Sequence, residues 1–114
     1  MAEAQLPDAV GDLAERFGSH DVVWWVAGGY AIDLFLGWES RPHDDVDIEM
    51  FRADVNILDD VFGEWDFSVL SEGGSAAWRP TDVLPDDVYA VWARPSPDAP
   101  WFVEIILADG DASL

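Results

Sequence analysis

The apolar run Val22-Val23-Trp24-Trp25-Val26-Ala27 stops at Gly28-Gly29, and one helix length later Arg41-Pro42-His43-Asp44-Asp45-Val46-Asp47-Ile48 leads into a stretch alternating apolar and acidic residues. The first run is β-branched and aromatic without a polar break, which suits a strand buried on both faces. The second, Val46 to Phe51, reads as a half-buried strand whose Asp45, Asp47 and Glu49 share one face. Between them, Tyr30 to Leu36 places Ala31, Leu34 and Phe35 together and ends at Gly37, predicting a short helix. Strand, glycine turn, helix and strand in this order confine the chain to a sheet with helical connections.

The flanking sequence extends this pattern. Leu6, Val10, Leu13, Ala14 and Phe17 recur at helical spacing, with Pro7 in the first turn and Gly18 as a stop, and predict an amphipathic opening helix. Asp54 is placed to N-cap a helix carrying Val55, Leu58, Val61 and Phe62 and closed by Gly63. Beyond it, Trp65 to Leu70, Ala76 to Arg79, Val88 to Ala93 and Trp101 to Leu107 read as short strands, with Arg94 to Pro100 as a hairpin loop. The expected fold is α/β (α+β): one domain over residues 1–114, a small mixed sheet with helices on one side.

Charge narrows the partners. The chain of 114 residues carries 24 acidic residues against five basic ones, for a formal charge of -19. All five are arginines, Arg16, Arg41, Arg52, Arg79 and Arg94. Nucleic-acid affinity comes mostly from Lys and Arg contacts to phosphates, so a polynucleotide partner is disfavoured. The acidity has two readings, adaptation to a saline solvent or a field that attracts a cationic substrate; the spread of acids along the whole chain favours the first. Without cysteine, an apolar span of membrane length or a leading export segment, the expectation is a cytoplasmic protein with no membrane association.

The residues that carry chemistry sit at the junctions of these elements. A glycine pair at a strand-to-helix turn lets backbone N–H groups approach a phosphate. Carboxylates at alternate strand positions project together, so Asp45 and Asp47 can chelate a magnesium ion, which takes oxygen ligands from one or two carboxylates plus phosphates and water. Two such ions about 3.5–4 Å apart could stabilise both the attacking and the leaving oxygen of a displacement at phosphorus. Glu104 interrupts an otherwise apolar strand; burial of a carboxylate there calls for a compensating cation, so it is the candidate third ligand, or alternatively a general base. Against these readings stand a plain tight turn for Gly28-Gly29, a solvated face for Asp-x-Asp and a strand-edge position for Glu104. Glu49 lies a full strand repeat beyond Asp47 and reads as peripheral. Most of the seven tryptophans, including Trp24, Trp25, Trp78, Trp92 and Trp101, read as core, and Trp38 as a pocket residue.

The segment from Trp25 to Gly37, followed by Arg41 to Ile48, resembles the antibiotic nucleotidyltransferases of the aminoglycoside and lincosamide type, within the polymerase-β-like nucleotidyltransferase superfamily. The resemblance implies a minimal nucleotidyltransferase fold and a magnesium-dependent enzyme that transfers a nucleoside monophosphate from a triphosphate, ATP foremost, to a hydroxyl of a small molecule. It also implies that Gly28 and Gly29 hold the triphosphate, that Arg41 and His43 lie near phosphate or substrate, and that Asp45, Asp47 and Glu104 bind two Mg2+ ions. The chain departs from many superfamily members in having Gly29-Tyr30 where Ser often follows the first glycine, and Glu instead of Asp as the third carboxylate. Relatives usually continue into a C-terminal helical segment that helps form the acceptor site, a wall that a second copy, a helical partner protein or nothing would supply here. Two further readings stay open: modification of a protein partner, as in toxin–antitoxin modules, and a non-catalytic interaction module on the same fold.

Overall fold

The computed structural model describes residues 8–18, 20–27 and 46–110. The opening helix α1 spans Asp8–Phe17, followed by strands β1, Trp24–Ala27, and β2, Val46–Phe51. A 3-10 segment, Arg52–Ile57, runs straight into the short helix α2, Leu58–Phe62. Four strands complete the order: β3, Asp66–Ser71; β4, Gly74–Ala77; β5, Ala90–Arg94; and β6, Val103–Ala108. The predicted helix over residues 30–36 lies outside the described residues, as do Leu6 and Pro7.

The strands form one six-stranded mixed sheet in the order β1-β2-β6-β5-β3-β4. Only the β2–β6 pairing is parallel among those described; β1–β2, β5–β6, β3–β5 and β3–β4 are antiparallel. Alternation then decides the faces. Val46, Ile48 and Met50 of β2, Val91 and Ala93 of β5 and Val103 and Ile105 of β6 are buried on one face. Against it pack Val10, Leu13 and Phe17 of α1 and Leu58, Val61 and Phe62 of α2, completing a single apolar cluster. The described helices therefore share one face of the sheet, as predicted, and the charged positions of β2 and β6 are left on the other.

Several expectations need correction. The run Val22 to Ala27 is expected to be buried on both faces, but β1 stands at the end of the described sheet, with Trp25 36% exposed within it and Val23 46% exposed just before it. On its outer face Trp25 meets Phe51 edge-on at 5.5 Å. Asp54 does not cap a helix: the chain leaves β2 at extended Phe51 and turns at once into the 3-10 segment, so the capping position has passed before residue 54. The spacing of Val55, Leu58 and Val61, three residues apart, is the repeat of a 3-10 helix and only afterwards of an α-helix. Gly63 does close α2, with positive φ and its N–H donating to the Asp59 carbonyl at 2.9 Å.

The strand predicted over Ala76 to Arg79 sits two residues earlier, at Gly74–Ala77. Trp78 instead leaves the sheet to enter the core, where it meets Phe67 edge-on and donates its indole N–H to the Val83 carbonyl at 3.3 Å. The segment beyond it is strapped down by the 3-10 segment: Asn56 donates to Pro80 O, and the Arg52 guanidinium to the carbonyls of Pro85, Asp86 and Val88. Arg52→Ala releases three carbonyls from a charged donor and is expected to lower the unfolding free energy by about 1–3 kcal/mol, read from urea denaturation.

Candidate functional site

The site is built where β2 and β6 run side by side. Their parallel register sets Val46 opposite Val103, Asp47 opposite Glu104 and Ile48 opposite Ile105. Because buried Val46 and Ile48 point to the helical face, Asp47 points to the other, and the same alternation in β6 puts Glu104 there too. Neighbouring strands lie about 4.7–4.9 Å apart, so the two carboxylates spring from adjacent backbones at the same height. Both residues are half-buried.

Like charges directly opposite one another on a sheet repel. A cation shared by the two carboxylates offsets that repulsion, and an all-oxygen donor pair suits a hard divalent ion such as Mg2+, which ordinarily takes one or two protein carboxylates. Among the described residues no group of three or more His, Cys, Asp or Glu gathers around one point. Asp47 and Glu104 are hard oxygen donors of the kind Mg2+ takes, a partial shell that phosphate oxygens and water would complete.

Glu104 is not at a strand edge: β6 is flanked by β2 on one side and β5 on the other. Glu49, although on the face of Asp47, lies opposite Trp25 in β1 and Ile106 in β6, so no second carboxylate stands beside it in the sheet. Gly28, Gly29, Arg41, His43, Asp45 and Trp38 all lie outside the described residues. The end of β1 nevertheless bears on the glycine turn, since Ala27, the residue before Gly28, is the register partner of Asp47.

One full row of the sheet can be followed through the site: Ala27, Asp47, Glu104, Trp92, Ser68 and Ala77, one residue from each strand. Trp92, expected only as core, thus stands on the outer face beside Glu104, half-buried, with its ring 5.5 Å from that of Trp101. Arg94 covers Trp101 at 3.9 Å from guanidinium carbon to ring centroid and is itself held by Asp66 at 2.7 Å and by the Ala99 carbonyl at 3.3 Å. The sequence signal for this wall was the Arg94 to Pro100 hairpin loop, which returns Trp101 and Glu104 alongside Trp92 once the register is known.

Comparison with known proteins identifies the family. A family model described as aminoglycoside-2''-adenylyltransferase matches residues 9–84, a span that includes the glycine pair and Asp47 and ends before Glu104. Curated relatives named 2''-aminoglycoside nucleotidyltransferase, from Escherichia coli and Klebsiella pneumoniae, are 29% identical over 98 residues, covering 74% of this chain and 52% of the relative. The chain thus spans about half the length of the curated relatives it matches. No solved structure matches the chain. With a family match over more than half its length, on a mixed sheet that sets Asp47 beside Glu104, the chain belongs to the aminoglycoside-2''-adenylyltransferase family.

Proposed function

We propose that residues 1–114 form a single nucleotidyltransferase domain that moves a nucleoside monophosphate from ATP to a hydroxyl of an aminoglycoside-like acceptor. The observation that carries this reading is the pairing of Asp47 with Glu104 across β2 and β6, in a chain whose family match spans Gly28-Gly29 and Asp45. Asp45, Asp47 and Glu104 would hold Mg2+, two ions in all, which when bound stabilises negative charge on the attacking and leaving oxygens. Gly28 and Gly29 offer backbone N–H groups to the triphosphate, while Arg41 and His43 supply donors beside it.

In the reaction the acceptor oxygen forms a bond to the α-phosphorus as the bond from that phosphorus to the bridging oxygen of the β-phosphate breaks. Pyrophosphate leaves with the electron pair, and the hydroxyl proton passes to a carboxylate base within hydrogen-bond reach, a role open to Glu104 if it is not fully engaged as a ligand. A polycationic acceptor suits the charge of -19, although the spread of the acids along the chain points first to adaptation to a saline solvent. A triphosphate donor places this work in the cytoplasm, and among the described residues no helix is long and apolar enough to cross a membrane.

The test is product formation. Incubation with ATP, Mg2+ and a panel of aminoglycosides should give an acceptor heavier by one adenylyl group in mass spectrometry, together with pyrophosphate. Glu104→Gln should lower the rate by about 100-fold or more, since a base contributes roughly 10²–10⁴-fold and a lost ligand at least as much. Adenylylation at the wild-type rate in folded Glu104→Gln would remove that residue from the reaction.

A further inference from the structure

The Trp92 indole Nε1 is buried without a hydrogen-bond partner, the one side-chain polar atom in that condition among the described residues. A buried donor left unmade costs about 1–3 kcal/mol, so such an atom calls for an explanation. Its surroundings supply one. Trp92 is the register partner of Glu104 in β6 and of Ser68 in β3. Directly opposed residues of an antiparallel pair have Cβ atoms about 4.5–5.5 Å apart, close enough for an indole to reach a glutamate side chain.

The ring itself has little freedom to seek an acceptor. It packs on Trp101, which is clamped under Arg94, and Arg94 is fixed in turn by Asp66 and by the Ala99 carbonyl. The acceptor must therefore come to the indole. Ser68 is the weaker choice, because its hydroxyl is turned to the Ala76 carbonyl at 3.2 Å and offers only a neutral oxygen. A carboxylate accepts a charge-assisted bond of roughly twice the strength, and the flexible Glu104 side chain has two oxygens to distribute.

We propose that Trp92 is a positioning residue for Glu104: when Glu104 turns one carboxylate oxygen to the Mg2+ and nucleotide of the site, its other oxygen accepts the Trp92 indole N–H. The inference rests on the nucleotidyltransferase reading above. Carboxylates that ligate metals are ordinarily held by such outer hydrogen bonds, whose loss lowers affinity 10- to 100-fold. The orphaned donor of the present structure is then a group waiting for the loaded state, and the clamp from Asp66 through Arg94 and Trp101 keeps it in place.

The experiment follows the indole N–H resonances of the 15N-labelled chain, seven in number from its seven tryptophans, while MgCl2 and ATP are added. The Trp92 resonance should move downfield with saturation in the wild type and stay in place in Glu104→Gln. Trp92→Phe, which keeps an aromatic ring and removes the donor, should bind MgATP about 10-fold more weakly with unchanged far-ultraviolet dichroism. If that variant does not fold, the wild-type titration decides alone, because the shift of the Trp92 resonance on saturation is read there. Saturable MgATP binding with a stationary Trp92 resonance would overturn the positioning role and leave the proposed function standing. Absence of any MgATP binding by the folded wild-type chain would overturn both.

Discussion

Asp47→Asn is expected to abolish saturable binding of MgATP, weakening it by more than about 100-fold, while the chain remains folded. The size follows from position. Substitution of an outer-shell partner already costs 10- to 100-fold in metal affinity, and Asp47 is proposed to touch the ion itself. Asn keeps the shape and one carbonyl oxygen but removes the charge that a hard divalent cation prefers. The fold should tolerate it, because Asp47 lies on the half-buried outer face and its neighbours Val46 and Ile48, which hold the core, are untouched. Melting curves in metal-free buffer should stay cooperative, since the buried residues on either side are retained. Calorimetric titration of MgATP into both proteins, with melting curves in EDTA, reads the two effects separately. Equal affinities would remove Asp47 from the site.

Phe17→Ala should have the largest effect on stability, a loss of about 3–5 kcal/mol. Phe17 is 2% exposed at the last turn of α1, and its ring joins three elements at once. It stacks on Trp24 of β1 at 5.1 Å and meets Phe62 of α2 edge-on at 6.1 Å. Truncation leaves a cavity between helix and sheet that neither β1, a strand of four residues, nor α2, a helix of five, is long enough to close by shifting as a unit. Aromatic pairing adds about 0.5–1.5 kcal/mol per contact beyond area burial, so the upper part of the range is expected. Urea denaturation followed by tryptophan fluorescence measures it. Because β1 carries the chain toward Gly28-Gly29, the same variant should also bind nucleotide less tightly at temperatures where the wild type is saturated. A loss below 1 kcal/mol would contradict this account of the core.

Much of this arrangement was legible in the sequence because it rests on local periodicity. The 3.6-residue spacing of Val10, Leu13 and Phe17 marks α1, and the strict alternation from Val46 to Phe51 assigns Asp47 to the face away from the helices. Glu104 stood out as a charge within an apolar run. What local pattern does not carry is register over distance. The parallel pairing that sets Asp47 against Glu104 joins strands separated by the whole of α2 and three further strands, and a slip of one residue would have sent the two carboxylates to opposite faces.

The misreadings have the same origin. Val22 to Ala27 has the composition of a central strand, yet it stands at the end of the described sheet, and Trp25 faces outward beside Phe51 because the helices cover the other side. Asp54 has the chemistry of a cap, but the strand turns directly into a 3-10 segment that is anchored through Arg52 to carbonyls more than thirty positions further along. Trp92 reads as core because it is a tryptophan inside an apolar strand. Its place beside Glu104 depends on how the Arg94 to Pro100 loop sets the β5–β6 register, which brings the indole donor and the carboxylate into one row.

In the proposed site Asp47 and Glu104 hold one divalent ion between them. Titration of substoichiometric Mn2+ into the 15N-labelled chain in the presence of ATP locates that ion, since a paramagnetic ion broadens nearby amide resonances first. The account predicts that the amides of residues 46–48 and 103–105 broaden together at the lowest Mn2+ concentration, and that excess Mg2+ restores them. Simultaneous broadening across the acidic surface, with those two strands no earlier than the rest, would contradict it.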